Sequence, residues 1–165
     1  APSIQQFAFL IDKTRLSPTV LIGGERMSVS IPPGQSSPSD GSPALSRAVP
    51  PLADTDTIEV PLIRIAHGRS GDKGDISNIG IVARRPDYLP VIKSQVTPEA
   101  VKAYLAHAVE GRVISYDLPG IDAVNFVCEQ ALGGGGMASL RGDPLGKAMA
   151  QILLSMPVKV PKRLL

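Results

Sequence analysis

The sequence contains no tryptophan, three tyrosines, three phenylalanines and a single cysteine, Cys128. One thiol excludes an intrachain disulfide and any zinc or iron–sulfur site built from several thiolates of this chain, and the cytosol is the expected location. The shortage of aromatics removes the platforms on which unpaired bases stack. Charge is equally undirected: 17 basic against 15 acidic residues leave a formal net charge of +2, far from the basic concentration that phosphate backbones require. Nucleic acid is therefore not an expected partner. No apolar run approaches the ~20 residues of a membrane-spanning helix, so no membrane partner is expected either and the protein should be soluble. The opening Ala1-Pro2-Ser3 has no basic segment ahead of its apolar stretch and reads as a cut end rather than a secretory leader.

With 43% hydrophobic residues in 165, the chain can bury one core of ordinary size with extensions beside it. Residues 1–31 alternate short apolar clusters with Gly23-Gly24 and suggest one or two strands joined by a turn. They read as an N-terminal extension or the tail of an upstream domain. Residues 32–57 are rich in Pro, Ser, Gly and Ala, which is linker composition. Residues 58–165 then form the domain.

Within that domain, Ile58 to Ala66 reads as a first strand, 68–75 as a polar loop, and Ile76 to Ala83 as a second strand. Thr97-Pro98-Glu99 is a helix start, with a capping hydroxyl, a first-turn proline and an acid suited to the macrodipole. Gly111 is expected to stop that helix in a left-handed conformation, before a strand at Arg112–Leu118. Pro119 to Leu132 reads as a second helix with Ile121, Val124, Val127, Cys128 and Ala131 on its buried stripe. A short strand near Met137 to Leu140 follows, then a third helix from Asp143-Pro144 to about Met156, with Val158-Lys159-Val160 extended. The pattern is α+β: a ferredoxin-like split-βαβ sandwich, its antiparallel or mixed sheet covered by helices on one face.

The densest chemistry is the run Arg69, Ser70, Asp72, Lys73, Asp75, Ser77 and Asn78, interleaved with Gly68, Gly71 and Gly74 that let backbone N–H groups approach a ligand. Such a loop either pairs its own charges in solvent or forms a polar site. As a site, Asp72 and Asp75 would be carboxylates held by Arg69 and Lys73, or oxygen ligands for a hard cation with Asn78. The spacing matches neither an EF-hand nor a phosphate loop, so no metal is assigned, and no cofactor is named. His67, at the end of the first strand, suits proton transfer if an acid orients it, and is otherwise structural. His107 lies on the exposed side of the Thr97 helix. The four glycines Gly133, Gly134, Gly135 and Gly136 offer a tight turn against another strand or an anion nest. Asn125 falls mid-helix, facing solvent or a polar cluster, and Cys128 is expected to pack in the core rather than act as a nucleophile. The segment Gly142-Asp143-Pro144-Leu145-Gly146-Lys147 is one residue short of a phosphate loop and runs into Ala148, which argues against nucleotide binding.

Several blocks carry a resemblance in the same order: Ala66 through Asp75, Asn78-Ile79-Gly80, Leu118-Pro119-Gly120-Ile121, Asn125-Phe126, Ala131 through Gly136, Ser139-Leu140-Arg141, and Asp143-Pro144 through Gly146-Lys147. Over about residues 60–162 the chain resembles the AtuA-like ferredoxin-fold domain, with Gly68 where that family more often has Ala. The resemblance implies a C-terminal domain or small subunit of acyclic-terpene-utilisation AtuA-type proteins, working in acyl-CoA or organic-acid catabolism. The implied partners are a larger AtuA-type domain or subunit, an oligomeric assembly, and an acyl-CoA or organic-acid ligand. The implied chemistry is hydratase-like or lyase-like, with no settled reaction. On that reading His67, Asp72, Lys73 and Asp75 are catalytic candidates. Arg69, Ser70, Asn78, Asn125 and Gly133–Gly136 are ligand-binding candidates. The alternative is a non-catalytic assembly module.

Overall fold

Gly23 and Gly24 take positive φ angles of 58° and 90°, the backbone that a two-residue hairpin turn demands, and so join β1 (Thr19–Ile22) to β2 (Glu25–Ser28). The computed structural model describes residues 9–32, 34 and 56–165, and the chain divides into two units, Ala1–Ser42 and Pro43–Leu165. Every residue of the first unit's two strands is exposed. The linker expected at 32–57 lies almost entirely outside the described residues.

In the second unit, β3 (Thr57–Pro61) pairs antiparallel with the last strand, β8 (Pro157–Pro161). β4 (Ala66–Lys73), β5 (Ile76–Ala83), β6 (Val113–Leu118) and β7 (Ala123–Cys128) form a four-stranded antiparallel sheet in the order β4-β5-β7-β6. Between β5 and β6 run α1 (Leu89–Gln95) and α2 (Pro98–Tyr104); α3 (Met149–Leu154) connects β7 to β8. Because β5 and β6 are each antiparallel to the β7 that separates them, they run parallel to one another, and the helices between them complete a split βαβ unit. The α+β ferredoxin-like architecture is the one the sequence suggests.

The core lies between one sheet face and the helices. Ile79 and Ile81 of β5 and Val124, Phe126 and Cys128 of β7 alternate onto that face, meeting Val91 and Ile92 of α1, Val101 of α2, and Leu153 and Leu154 of α3. Lys93 of α1 reaches Asp117 of β6 at 2.9 Å and pins helix to sheet. Thr97 caps α2 as its sequence indicates, its hydroxyl accepting the Ala100 N–H at 3.2 Å.

Several elements differ from the sequence reading. The run 58–66 is two strands in separate sheets: Pro61 ends β3, and the tight turn Leu62–Arg64 buries Leu62 and delivers the chain to a buried Ile65. The segment 68–75 is mostly strand, since β4 pairs with β5 residue by residue to Lys73 and only Gly74 and Asp75 form the turn. A helix at 89–95 went unanticipated, whereas the helix expected over 119–132 is a hairpin turn followed by β7. Gly120 and Asp122, at φ 91° and 48°, reverse the chain, and Ile121 is exposed rather than buried. The strand expected near 137–140 is a short 3₁₀ turn (Gly136–Ala138) and irregular chain. Asp143 caps a turn, and α3 begins only at Met149. Gly111 does not take positive φ; it is required because a Cβ there would lie 2.6 Å from the Glu129 carbonyl oxygen.

Candidate functional site

Strand alternation places one set of side chains on the helix-covered face and the other on the opposite, open face. On the open face the register aligns Arg69, Gly80, Asn125 and Tyr116 in one row across the four strands, and Gly71, Asn78, Val127 and Ile114 in the next. Asn125 and Asn78, 47 residues apart in sequence, meet with the Asn125 amide donating to Asn78 Oδ1 at 3.4 Å. Gly71 and Gly80 leave the floor bare around them.

Along the free edge of β4 this floor opens into a cleft of about 420 Å³, lined by Arg69, Ser70, Gly71, Asp72, Lys73, Asn78, Gly80, Asn125 and Lys147. Lys147 reaches it from the segment ahead of α3. Its backbone is held on three sides: the Asp143 carboxylate accepts the N–H groups of Lys147 and Ala148 at 2.8 Å each. The buried Ser70 hydroxyl donates to the Lys147 carbonyl at 3.3 Å and accepts the Ala150 N–H at 2.9 Å. Ser70 therefore contributes chiefly by positioning Lys147. The Lys147 ammonium stands 3.7 Å from Asp72 Oδ1 and 3.1 Å from where a side chain on Gly71 would begin. Lys73 donates to the Asp72 carbonyl at 3.2 Å. Arg69 is exposed and makes no hydrogen bond or ion pair among the described residues. Three cations face one carboxylate, so the cleft is suited to an anionic group, with amide N–H groups of the two asparagines to orient it.

Six of the sequence-derived candidates thus converge: Arg69, Ser70, Asp72, Lys73, Asn78 and Asn125. The others do not line the cleft. His67 is exposed one row away, and because a guanidinium only donates, its Nε2 accepts from Arg84 Nη1 at 3.2 Å. Asp75 Oδ1 accepts the N–H groups of Leu132 at 3.0 Å and Gly134 at 2.9 Å, so a carboxylate of the protein itself occupies the backbone nest next to the glycine run. Gly133–Gly136, all at positive φ, form a tight turn packed on the Gly74 hairpin tip. Asn125 sits on a strand rather than mid-helix.

Lys147 and the bare floor at Gly80 were missed in sequence, whereas Gly71 was expected to let a ligand approach the backbone. Lys147 is separated from β4 along the chain by β5, α1, α2, β6 and β7, and the signal for the shared face was the i, i+2 spacing of Arg69, Gly71 and Lys73, which puts all three on one face once 68–73 is a strand. Cys128 is fully buried, and burial pushes its thiol up to about 11 despite the opposing pull of Lys102. Among the described residues no group of three or more His, Cys, Asp or Glu side chains is placed to hold a metal ion, and no helix is long and apolar enough to cross a membrane.

The family model of the AtuA ferredoxin-like domain matches residues 60–159. The chain belongs to this family. The matched span runs from within β3 to within β8, so every residue lining the cleft lies inside the AtuA ferredoxin-like domain. No curated protein and no solved structure matches the chain.

Proposed function

We propose that this AtuA ferredoxin-like domain serves a larger AtuA-type domain or subunit in acyl-CoA or organic-acid catabolism, lending the cationic cleft to a shared site where it holds an anionic group of the ligand. The observation that carries the reading is the convergence of Arg69, Lys73 and Lys147 with Asn78 and Asn125 on the open sheet face. A cleft walled on one side by a single edge strand is shallow, and a second surface would exclude water and strengthen every charge interaction inside it. Asp72 and Lys73 are the catalytic candidates that touch the cleft; with His67 and Asp75 outside it, the hydratase-like or lyase-like chemistry draws its remaining groups from the partner.

Activity of the reconstituted complex tests this. Arg69→Ala and the pair Asp72→Ala/Lys73→Ala, each shown to be folded by circular dichroism, should lower kcat/KM by at least about tenfold, the loss of one charge-assisted contact. Full activity in both variants would refute the shared site. A second reading, assembly without catalysis, draws on the exposed Met137 and Leu140, 66% and 103% accessible on one short segment. It requires Leu140→Asp to abolish complex formation in size-exclusion chromatography.

A further inference from the structure

The cations of the cleft are not gathered at one point. Arg69 and Lys73 project from the same face of one strand four residues apart, which separates their Cα atoms by about 13 Å, and adjacent rows on that face are about 7 Å apart. The row of Arg69 has glycine next to it: Gly80 bares the floor between the guanidinium and the Asn125 amide two strands away. In the following row the bare position is Gly71, and there the Lys147 ammonium lies over the floor beside Asn78, with Lys73 beyond it. Each row thus combines a cation, a glycine and an asparagine.

The amide contact ties the rows together and orients them. Asn78 accepts through Oδ1 from Asn125, so both N–H groups of Asn78 remain for a ligand in the Lys147 row, while Asn125 keeps its second N–H for the Arg69 row. At the Lys147 end Asp72 offsets one of two ammonium groups; at the other end no carboxylate among the described residues offsets Arg69. Each end of the cleft therefore retains about one unpaired positive charge, Arg69 at one and Lys73, a row beyond Lys147, at the other.

From this repetition we propose that the cleft selects an elongated ligand with two anionic groups about 7 Å apart, one on Arg69 and Asn125, the other on Lys147 and Asn78. Carboxylates fit both stations, since a guanidinium fork and a primary amide each present planar donors to a planar acceptor. The intervening hydrocarbon crosses the glycine floor, where a Cβ on Gly71 would press the Lys147 ammonium at 3.1 Å. The inference rests on the cleft being an anion site and specifies what that site takes.

The test is a titration of the ¹⁵N-labelled full chain with adipate, hexanoate and inorganic phosphate, following the side-chain amide resonances of Asn78 and Asn125. Adipate should shift both amides and bind roughly tenfold more tightly than hexanoate or phosphate, the gain of a second charged contact. Arg69→Ala should reduce adipate to the hexanoate level while keeping the Asn78 shift, and Lys147→Ala should keep only the Asn125 shift. If adipate and hexanoate bind alike, or adipate moves one amide alone, the two-anion ligand is refuted and the anion cleft stands. If none of the three moves either amide, both readings fall.

Discussion

The four consecutive glycines make a prediction with its own internal control. All four take positive φ, so an alanine at any of them costs about 1–2 kcal/mol from the clash of Cβ with its own backbone. Space divides them. A Cβ on Gly136 would meet nothing within 4 Å, whereas one on Gly135 would lie 1.9 Å from the Gly74 carbonyl oxygen and 3.0 Å from the Asp75 nitrogen. Gly135 also sits at φ 68° and ψ 163°, a region essentially closed to residues with a side chain.

Relief at Gly135 requires the two loops to separate by about 1.5 Å, the shortfall from an ordinary van der Waals contact. That movement breaks the grip of Asp75 on the Leu132 and Gly134 N–H groups. Two charge-assisted bonds, one part-buried and one exposed, are worth about 2–3 kcal/mol together. Gly135→Ala should therefore destabilise the domain by about 4 kcal/mol or more, against about 1–2 for Gly136→Ala. In thermal unfolding the first should lower Tm by about 15 °C or more and the second by about 10 °C or less. Urea unfolding followed by far-UV circular dichroism measures both. Equal losses in the two variants would refute the close approach of the glycine turn to the hairpin tip.

Two further substitutions report on the helix-covered face. Cys128, pushed by burial from 9.0 to about 11, stays protonated in the folded chain after the unfolded chain has ionised. Stability from this group is full below pH 9 and declines between pH 9 and about 11, by on the order of 2–3 kcal/mol. The urea midpoint of wild type should fall more steeply over that window than that of Cys128→Ala, and equal slopes would contradict the burial. Ser77 carries a fully buried hydroxyl with no hydrogen-bond partner among the described residues. Ser77→Ala removes the desolvated group and should raise stability by about 1 kcal/mol, and a loss of that size in urea unfolding would show that the hydroxyl is satisfied.

What the sequence made legible was whatever is decided locally. The Gly23-Gly24 turn and the Thr97 cap depend on residues within four positions of one another, and both appear where expected. β4 could not be read in this way: Ala-His-Gly-Arg-Ser-Gly-Asp-Lys is poor in the β-branched and aromatic residues that favour strands, and it is extended because β5 supplies a ladder along its whole length. β7 failed for a different reason. Val124 and Cys128 are four apart as well as on alternate positions, so they satisfy the helical stripe and the strand face equally, and only Phe126 between them, buried with both, decides for the strand. Assigning 119–132 to a helix kept Asn125 apart from Arg69 and Asn78, which the sequence had grouped in one polar run.

The same alternation explains why three glycines of this sheet answer to different constraints. Gly68 faces the helices, where a Cβ would press Ile81 and Leu154 at 3.2 Å, so an alanine there engages the core, and the chains must give by a few tenths of an ångström. Gly71 faces the cleft beneath Lys147. Gly80 also faces the cleft, and the nearest atom to a Cβ there is the Arg69 carbonyl oxygen at 3.8 Å, an ordinary contact. Gly80 takes no positive φ, and a glycine in mid-strand weakens the strand. The fold would accept a side chain at Gly80; on the proposed reading, what that side chain would displace is the anionic group between Arg69 and Asn125.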